Sequence, residues 1–267
     1  MIKNYLVLKN YELTDAFFLD NTPESLVDAR ERYASMQNLT ILSAQKFLVG
    51  FDAIIIDRAT FPHDQYMFKH HMQTIHDRYH SEACNILYVD LDVIFTGPTD
   101  IFGKFHNFSM LQHNCGIRYY PAGGVPQHLW DIQRQGMEQW DETIGPHDVW
   151  HHTTEDGSGY QWDREQDIYA EMFQEYIHHD GDIGKSHKKF QGMIHSLYNE
   201  YPADRHPTMI HYNGTGHQNN PVETAERLWS YAKIGDTDSI RSMMNSDRYR
   251  IWYDQPIDHD DHDDHDE

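Results

Sequence analysis

The chain has 267 residues, enough to bury one sizeable core, and its 43 acidic against 21 basic residues give a formal net charge of −22. A surface of that sign repels phosphate backbones and anionic membranes, which argues against general nucleic-acid binding. No window approaches the roughly 20 apolar residues of a membrane span, and the opening segment MIKNYLVLKNYELTD lacks the apolar core of a signal peptide, so a cytoplasmic location is expected.

Ile2 to Leu8 reads as a first strand. The segment NTPESLVDARERYASMQ reads as a helix, with Asn21 or Thr22 as cap and Pro23 in the first turn. FDAIIIDRA is a second buried strand centred on Ile54 to Ile56. Between Gln65 and His80, Phe68, Met72, Ile75 and Tyr79 recur at helical spacing, and a further strand follows over Asn85 to Val89. Strand, helix, strand alternation predicts parallel pairing with helices on the sheet. Cys84 and Cys115 fall in no C-x-x-C pattern and are expected to be reduced core thiols.

The run ILYVDLDVIFTGPTDIF places Asp90 and Asp92 two positions apart at the end of that third strand. On an extended chain they share a face, while Leu91 points back to the core. Two unpaired carboxylates a few Å apart raise each other's pKa, so a cation or a shared proton is needed. The bland alternative is that one acid caps the following turn and the other is solvated. The C-terminal edge of a parallel sheet, where open α/β folds bind ligands, favours a hard-cation site.

Farther on, RYYPAGGVP (118–126) and HHTTEDGSG (151–159) read as flexible loops from their composition. A helix is expected over about Arg164 to His178, with Tyr169, Met172, Phe173, Tyr176 and Ile177 on one side, and another after Asn220-Pro221. The last ten residues combine seven acids with three histidines and have nothing apolar to bury, so they are read as disordered, the end of an acidic tail over 251–267.

The D-x-D run resembles that of the GT-A-fold glycosyltransferases, in which the two acids hold Mn²⁺ or Mg²⁺ against the diphosphate of a nucleotide-sugar. Three later segments follow in the order found in the retaining family of glycogenin and the bacterial lipopolysaccharide galactosyltransferases. PAGGV resembles its N-A-G-V loop, with Gly124 matching; EQDIY resembles its D-Q-D helix start; and IHYNGTGH resembles its H-x-x-G-x-x-K motif, with His217 in place of lysine. The Pro-Trp that usually follows that motif is missing.

The resemblance implies an α/β, GT-A-like fold with a mixed sheet flanked by helices. It implies one domain over 1–250, a nucleotide-binding half to about 105 and an acceptor half beyond it. Asp90, Asp92 and His211 are then the metal ligands. Asp90, Gly124, Gly214 and His217 are the donor-binding candidates, and Glu165, Gln166 and Asp167 the catalytic ones; Lys69, on the helix that feeds the metal strand, is added to the donor-binding set for its charge, although a lysine on a helix is usually a solvated face. The implied cofactors are Mn²⁺ (or Mg²⁺) and a nucleotide-sugar, with a UDP-sugar favoured over a GDP-sugar. The acceptor is a carbohydrate, a lipid-linked sugar or a protein.

The residues themselves fit these roles. An imidazole beside two carboxylates suits Mn²⁺ better than Mg²⁺, and glycines at 214 and 216 would let backbone approach a pyrophosphate. Acids in a first helical turn, however, are also ordinary helix stabilisers. Two other classes fit less well. A haloacid-dehalogenase-like phosphohydrolase would use Asp90 as nucleophile and Asp92 as acid/base, with Lys185, Asp180 and Asp182 as the near downstream candidates. A GT-A-like module that binds a sugar without turnover is the third.

Overall fold

A computed structural model describes residues 1–11, 23–59, 64–111, 115–143, 164–177, 181–196, 207–212 and 221–244. The expected tail, the loop at 151–159 and the caps Asn21 and Thr22 lie outside them. In chain order the elements are β1 (Lys3–Tyr11), α1 (Pro23–Phe47), β2 (Ala53–Ala59), α2 (Asp64–Ser81), β3 (Cys84–Val89), β4 (Val93–Phe95), β5 (Ser109–Met110) and β6 (Ile117–Tyr120). There follow α3 (Gln127–Thr143), α4 (Arg164–Ile177), α5 (Gly181–Gly192), β7 (Ile194–Ser196), β8 (Met209–His211), α6 (Pro221–Ile234) and α7 (Thr237–Met244).

The fold is α/β, with a five-stranded mixed sheet in the order β2-β1-β3-β6-β5. The central strand β1 pairs in parallel with both β2 and β3, as the alternation of elements predicts. The sheet becomes mixed where β6 runs antiparallel to β3, and β5 antiparallel to β6. All six residues of β3 are buried, so its apolar run follows from cover on both faces.

Alternation along β1 sends Leu6 and Leu8 to one core and Tyr5 and Val7 to the other. The first core is closed by Met36 and Ala44 of α1, by Leu48 just after it, and by Ala225, Leu228 and Ala232 of α6. The second is closed by Met72 and Ile75 of α2, Leu129 and Trp130 of α3, and Ile168, Tyr169 and Met172 of α4. The helices α1 and α2 therefore cover opposite faces, and the crevice at the carboxyl ends of β1 and β3 is a topological switch point.

Three findings correct the sequence reading. The helix expected to end near Gln37 continues to Phe47. Its second half carries Thr40 and Ile41, which weaken a helical signal, but Thr40, Ser43 and Ala44 are buried and tertiary packing carries the helix on. The segment expected to be a flexible loop from Arg118 contains the buried strand β6, with Arg118, Tyr119 and Tyr120 all fully enclosed. The turn after it is tied down: the Tyr79 hydroxyl donates to the Pro121 carbonyl at 2.6 Å and Ala122 N–H donates to Asn85 Oδ1 at 2.7 Å. Finally, a second sheet of three strands, β4-β8-β7, was not foreseen; β4 is antiparallel to β8 and β7 parallel to it.

Both cysteines are buried and free, as expected. No helix among the described residues is long and apolar enough to cross a membrane.

Candidate metal centre

The two acids meet where the two sheets join. The strand β3 ends at Val89, and Leu91 and Asp92 form a turn leading into β4, so Asp90 and Asp92 are not on one continuous strand. They converge through that turn instead. Leu91 is buried in the first core, as the alternation predicted, and its carbonyl accepts from the Thr40 hydroxyl at 2.8 Å. Asp90 N–H donates to the Gly116 carbonyl at 2.8 Å, which anchors the first acid to the start of β6.

The third group arrives from β8. His211 lies opposite Val93 in the β4–β8 ladder, and Tyr212 N–H donates to the Asp92 carbonyl at 3.0 Å. His211 Nε2 stands 3.1 Å from Asp92 Oδ1. Each of Asp90, Asp92 and His211 offers one ligand atom, and these atoms lie within 4.8 Å of one another. Asp92 and His211 are buried and Asp90 is half-buried.

The far nitrogen of the imidazole is held as well: Ser196 Oγ of β7 lies 3.3 Å from His211 Nδ1. With Nδ1 so engaged, Nε2 is the nitrogen that faces the acids. Burial alone would push the His211 pKa down, but the charge and hydrogen bond of Asp92 and the charge of Asp90 outweigh it and raise it above the ordinary value. The acids thus favour positive charge at Nε2, which a divalent cation would supply in place of a proton. One imidazole and two carboxylates, with the second imidazole nitrogen fixed, could hold a divalent cation.

Behind Asp90 lies a polar cluster that sequence reading missed. The Tyr88 hydroxyl, two residues back on β3, donates to Asp90 Oδ1. The Arg118 guanidinium lies over the Tyr88 ring at 4.0 Å and over the Tyr169 ring at 3.9 Å. Arg118 Nη2 is 2.8 Å from His71 Nε2, and His71 Nδ1 is 3.2 Å from Asp57 Oδ2. The Thr74 hydroxyl donates to Asp57 Oδ1 at 3.2 Å, and Tyr120 donates to the Tyr169 hydroxyl at 3.1 Å. The one sequence signal was Asp57, an acid within the apolar strand Ala53–Ala59.

Glu165, Gln166 and Asp167 form the first turn of α4, and their side chains lie outside the described residues. The helix reaches the site through Tyr169, one position past Ile168, which is packed against α3. A Cβ added to Gly136 of α3 would come within 2.5 Å of Ile168 Cγ1, so the glycine permits the close α3–α4 crossing. Lys69 belongs to α2, and Asp182 and Lys185 to α5, again without described side chains. Gly214, His217 and Asp180 lie outside the described residues.

Gly124 sits in the turn after β6, where its N–H donates to the Pro121 carbonyl at 2.9 Å. A Cβ there would fall 2.1 Å from the His106 carbonyl oxygen, so backbone packing alone accounts for the glycine.

The sequence matches no protein-family model and no curated protein at a significant level. Three solved structures of glycosyltransferases show a similar chain path. The apo form of GlyE from Streptococcus pneumoniae TIGR4 gives a TM-score of 0.43 at 12% identity, over 92% of this chain and 64% of that one. A second GlyE structure gives 0.42 at 13% identity, over 96% of this chain and 66% of that one. A glycosyltransferase involved in glycosylation of the major capsid of PBCV-1 gives 0.40 at 8% identity, over 85% and 98%. The chain thus spans just under two thirds of the GlyE chains it resembles.

Proposed function

We propose that this chain is a metal-dependent glycosyltransferase with a GT-A-like fold, one that moves a sugar from a nucleotide-diphosphate sugar to an acceptor hydroxyl. The observation that carries the proposal is the convergence of Asp90, Asp92 and His211 at a sheet switch point, with their ligand atoms within 4.8 Å. Mn²⁺ suits this donor set better than Mg²⁺, which prefers oxygen ligands almost alone.

In this proposal Asp90, Asp92 and His211 hold the cation, which when bound supplies positive charge to the diphosphate leaving group. Ser196 keeps His211 in the orientation that presents Nε2, and Tyr88 fixes the Asp90 carboxylate. The first turn of α4, with Glu165, Gln166 and Asp167, is placed on the sugar side of the site. Glu165 and Asp167 hold sugar or acceptor hydroxyls, and Gln166 shields the far face of the reacting carbon.

Transfer then proceeds with retention. The acceptor oxygen forms a bond to the anomeric carbon on the face the phosphate leaves. The bond from that carbon to the phosphate oxygen breaks, and the acceptor proton passes to that departing oxygen. Gly214 and His217 are assigned to the diphosphate, as is Lys69.

A panel of UDP- and GDP-sugars, titrated by thermal shift with and without Mn²⁺ and assayed for hydrolysis or transfer, tests the proposal. Mn²⁺-dependent binding of one donor, with turnover giving the donor's own anomer by proton NMR, is the expected outcome. Binding without turnover would leave a sugar-binding module, an inverted product would reject the retaining assignment, and indifference to Mn²⁺ would reject the metal centre.

A further inference from the structure

Arg118 is completely buried, and no other arginine or lysine is buried among the residues whose side chains are described. A buried guanidinium carries a desolvation penalty of several kcal/mol, and well-packed apolar replacements of such charges are often as stable or more so. Stability is therefore a poor reason for a charge here.

Its contacts point elsewhere. His71 meets its Nη2 at 2.8 Å and is itself held by Asp57 at 3.2 Å, so the guanidinium plane is fixed from the side of α2 and β2. Over that plane lie Tyr88 and Tyr169, whose ring centroids are 4.0 and 3.9 Å from Cζ. One ring belongs to β3 and hydrogen-bonds Asp90. The other belongs to α4, two residues after Asp167, and its hydroxyl is held at 3.1 Å by Tyr120 of β6.

We propose that Arg118 is a positioning residue: its planar cation, fixed by His71, sets the metal-binding carboxylate of Asp90 and the first turn of α4 relative to each other through the two tyrosines. The proposal rests on the reading that Asp90 binds a cation and that the α4 turn faces the donor sugar. A plane contacting two rings restricts both elements at once, which an ammonium on a flexible stem does not do. Cation binding at Asp90 then stiffens the start of α4 without touching it.

The test compares wild type with Arg118→Met and Arg118→Lys. Mn²⁺ affinity is read from the electron paramagnetic resonance of free Mn²⁺. Amide hydrogen exchange over residues 164–172 is followed with and without Mn²⁺. In wild type, Mn²⁺ should slow exchange of the α4 amides by about 5-fold or more. In both variants that slowing should vanish while the Mn²⁺ dissociation constant stays within about 3-fold, and donor turnover should fall about 10-fold at nearly unchanged donor KM.

Tyr169→Leu removes one ring and leaves the Arg118–His71 bond, so it serves if Arg118→Met does not fold; Tyr169→Phe keeps the ring and should retain the Mn²⁺ response. Persistence of the Mn²⁺ response in Arg118→Met or Tyr169→Leu overturns the proposal. So does its absence from a wild-type protein that binds Mn²⁺, which leaves the metal centre standing. A wild-type protein that does not bind Mn²⁺ removes the metal centre and the positioning role together.

Discussion

On one face of the five-stranded sheet, Leu6, Leu8, Leu87 and Val89 meet Met36 and Ala44 of α1 and Leu228 of α6. On the other, Tyr88, Arg118 and Tyr120 meet His71 of α2 and Tyr169 of α4. The first face is mostly aliphatic and gains chiefly from burial. The second encloses two charged residues and several hydroxyls, groups that are stable inside a protein only as a satisfied network. The two faces thus divide the work: one supplies cohesion, and the other fixes the orientation of groups at the end of β3.

Changes at the sheet junction and on the two faces should therefore fail in different ways. The largest effect is expected of Asp92→Asn at the junction, which keeps the shape and loses the charge beside His211. Since outer-shell changes at metal sites already cost about 10–100-fold in affinity, losing a ligand should weaken Mn²⁺ binding by more than about 100-fold, with turnover lost and circular dichroism unchanged. Wild-type Mn²⁺ affinity in this variant would remove the metal centre.

Next comes Leu87→Ala on the aliphatic face. It should lower unfolding free energy in urea by about 2–5 kcal/mol, the usual range for a buried leucine, and leave the Mn²⁺ affinity of the folded protein alone. A parallel loss of affinity would mean that the two faces are not separable.

A pH scan sharpens which buried polar groups serve only the fold. Burial pushes His187 of α5 down to about 3 and His195 of β7 down to about 4. Both are nearly fully buried and stay neutral in the folded protein, while the unfolded chain takes up their protons near pH 6.5. Their contribution is complete above pH 6.5 and is lost as pH falls toward 4 and 3. At pH 5 each should have removed about 2 kcal/mol of stability, and His187→Asn should flatten the urea-midpoint curve between pH 5 and 6.5.

A smaller loss, about 1–3 kcal/mol, is expected of Gly136→Ala, because the new methyl meets Ile168 at the α3–α4 crossing. Near zero is the expectation for deletion of Asp258 to Glu267, a segment with no apolar residue to bury. A fall of more than a few degrees in melting temperature would show that these ten residues dock on the body.

What could be read from the sequence was what local chemistry determines. The parallel β1–β2 and β1–β3 pairs follow from apolar strands joined by a helical pattern, and the D-x-D pair announces itself because carboxylates at the end of a buried strand are costly. His211 was separable from 20 other histidines only through its H-x-x-G context. The strands β4, β7 and β8 have three residues each, too few for any periodicity, and they form only because distant segments meet. Arg118 was hidden because Pro121, Gly123 and Gly124 give its neighbourhood the composition of a loop, although they close the turn after a buried strand. The Asp57–His71–Arg118 contacts join three elements, and no spacing in the chain encodes them.

The seam between the two sheets has a consequence for folding order. Asp92 and His211 lie nearly half the chain apart, and the backbone bond from Tyr212 to Asp92 exists only once β8 has docked beside β4. A cation gripping both acids and the imidazole would close that long loop, so the ligand set cannot preassemble in the unfolded chain. A bound cation would lock β8 beside β4. At a Mn²⁺ concentration 100 times the dissociation constant it would add about 2.7 kcal/mol to stability, and the protein's resistance to unfolding would follow the metal supply.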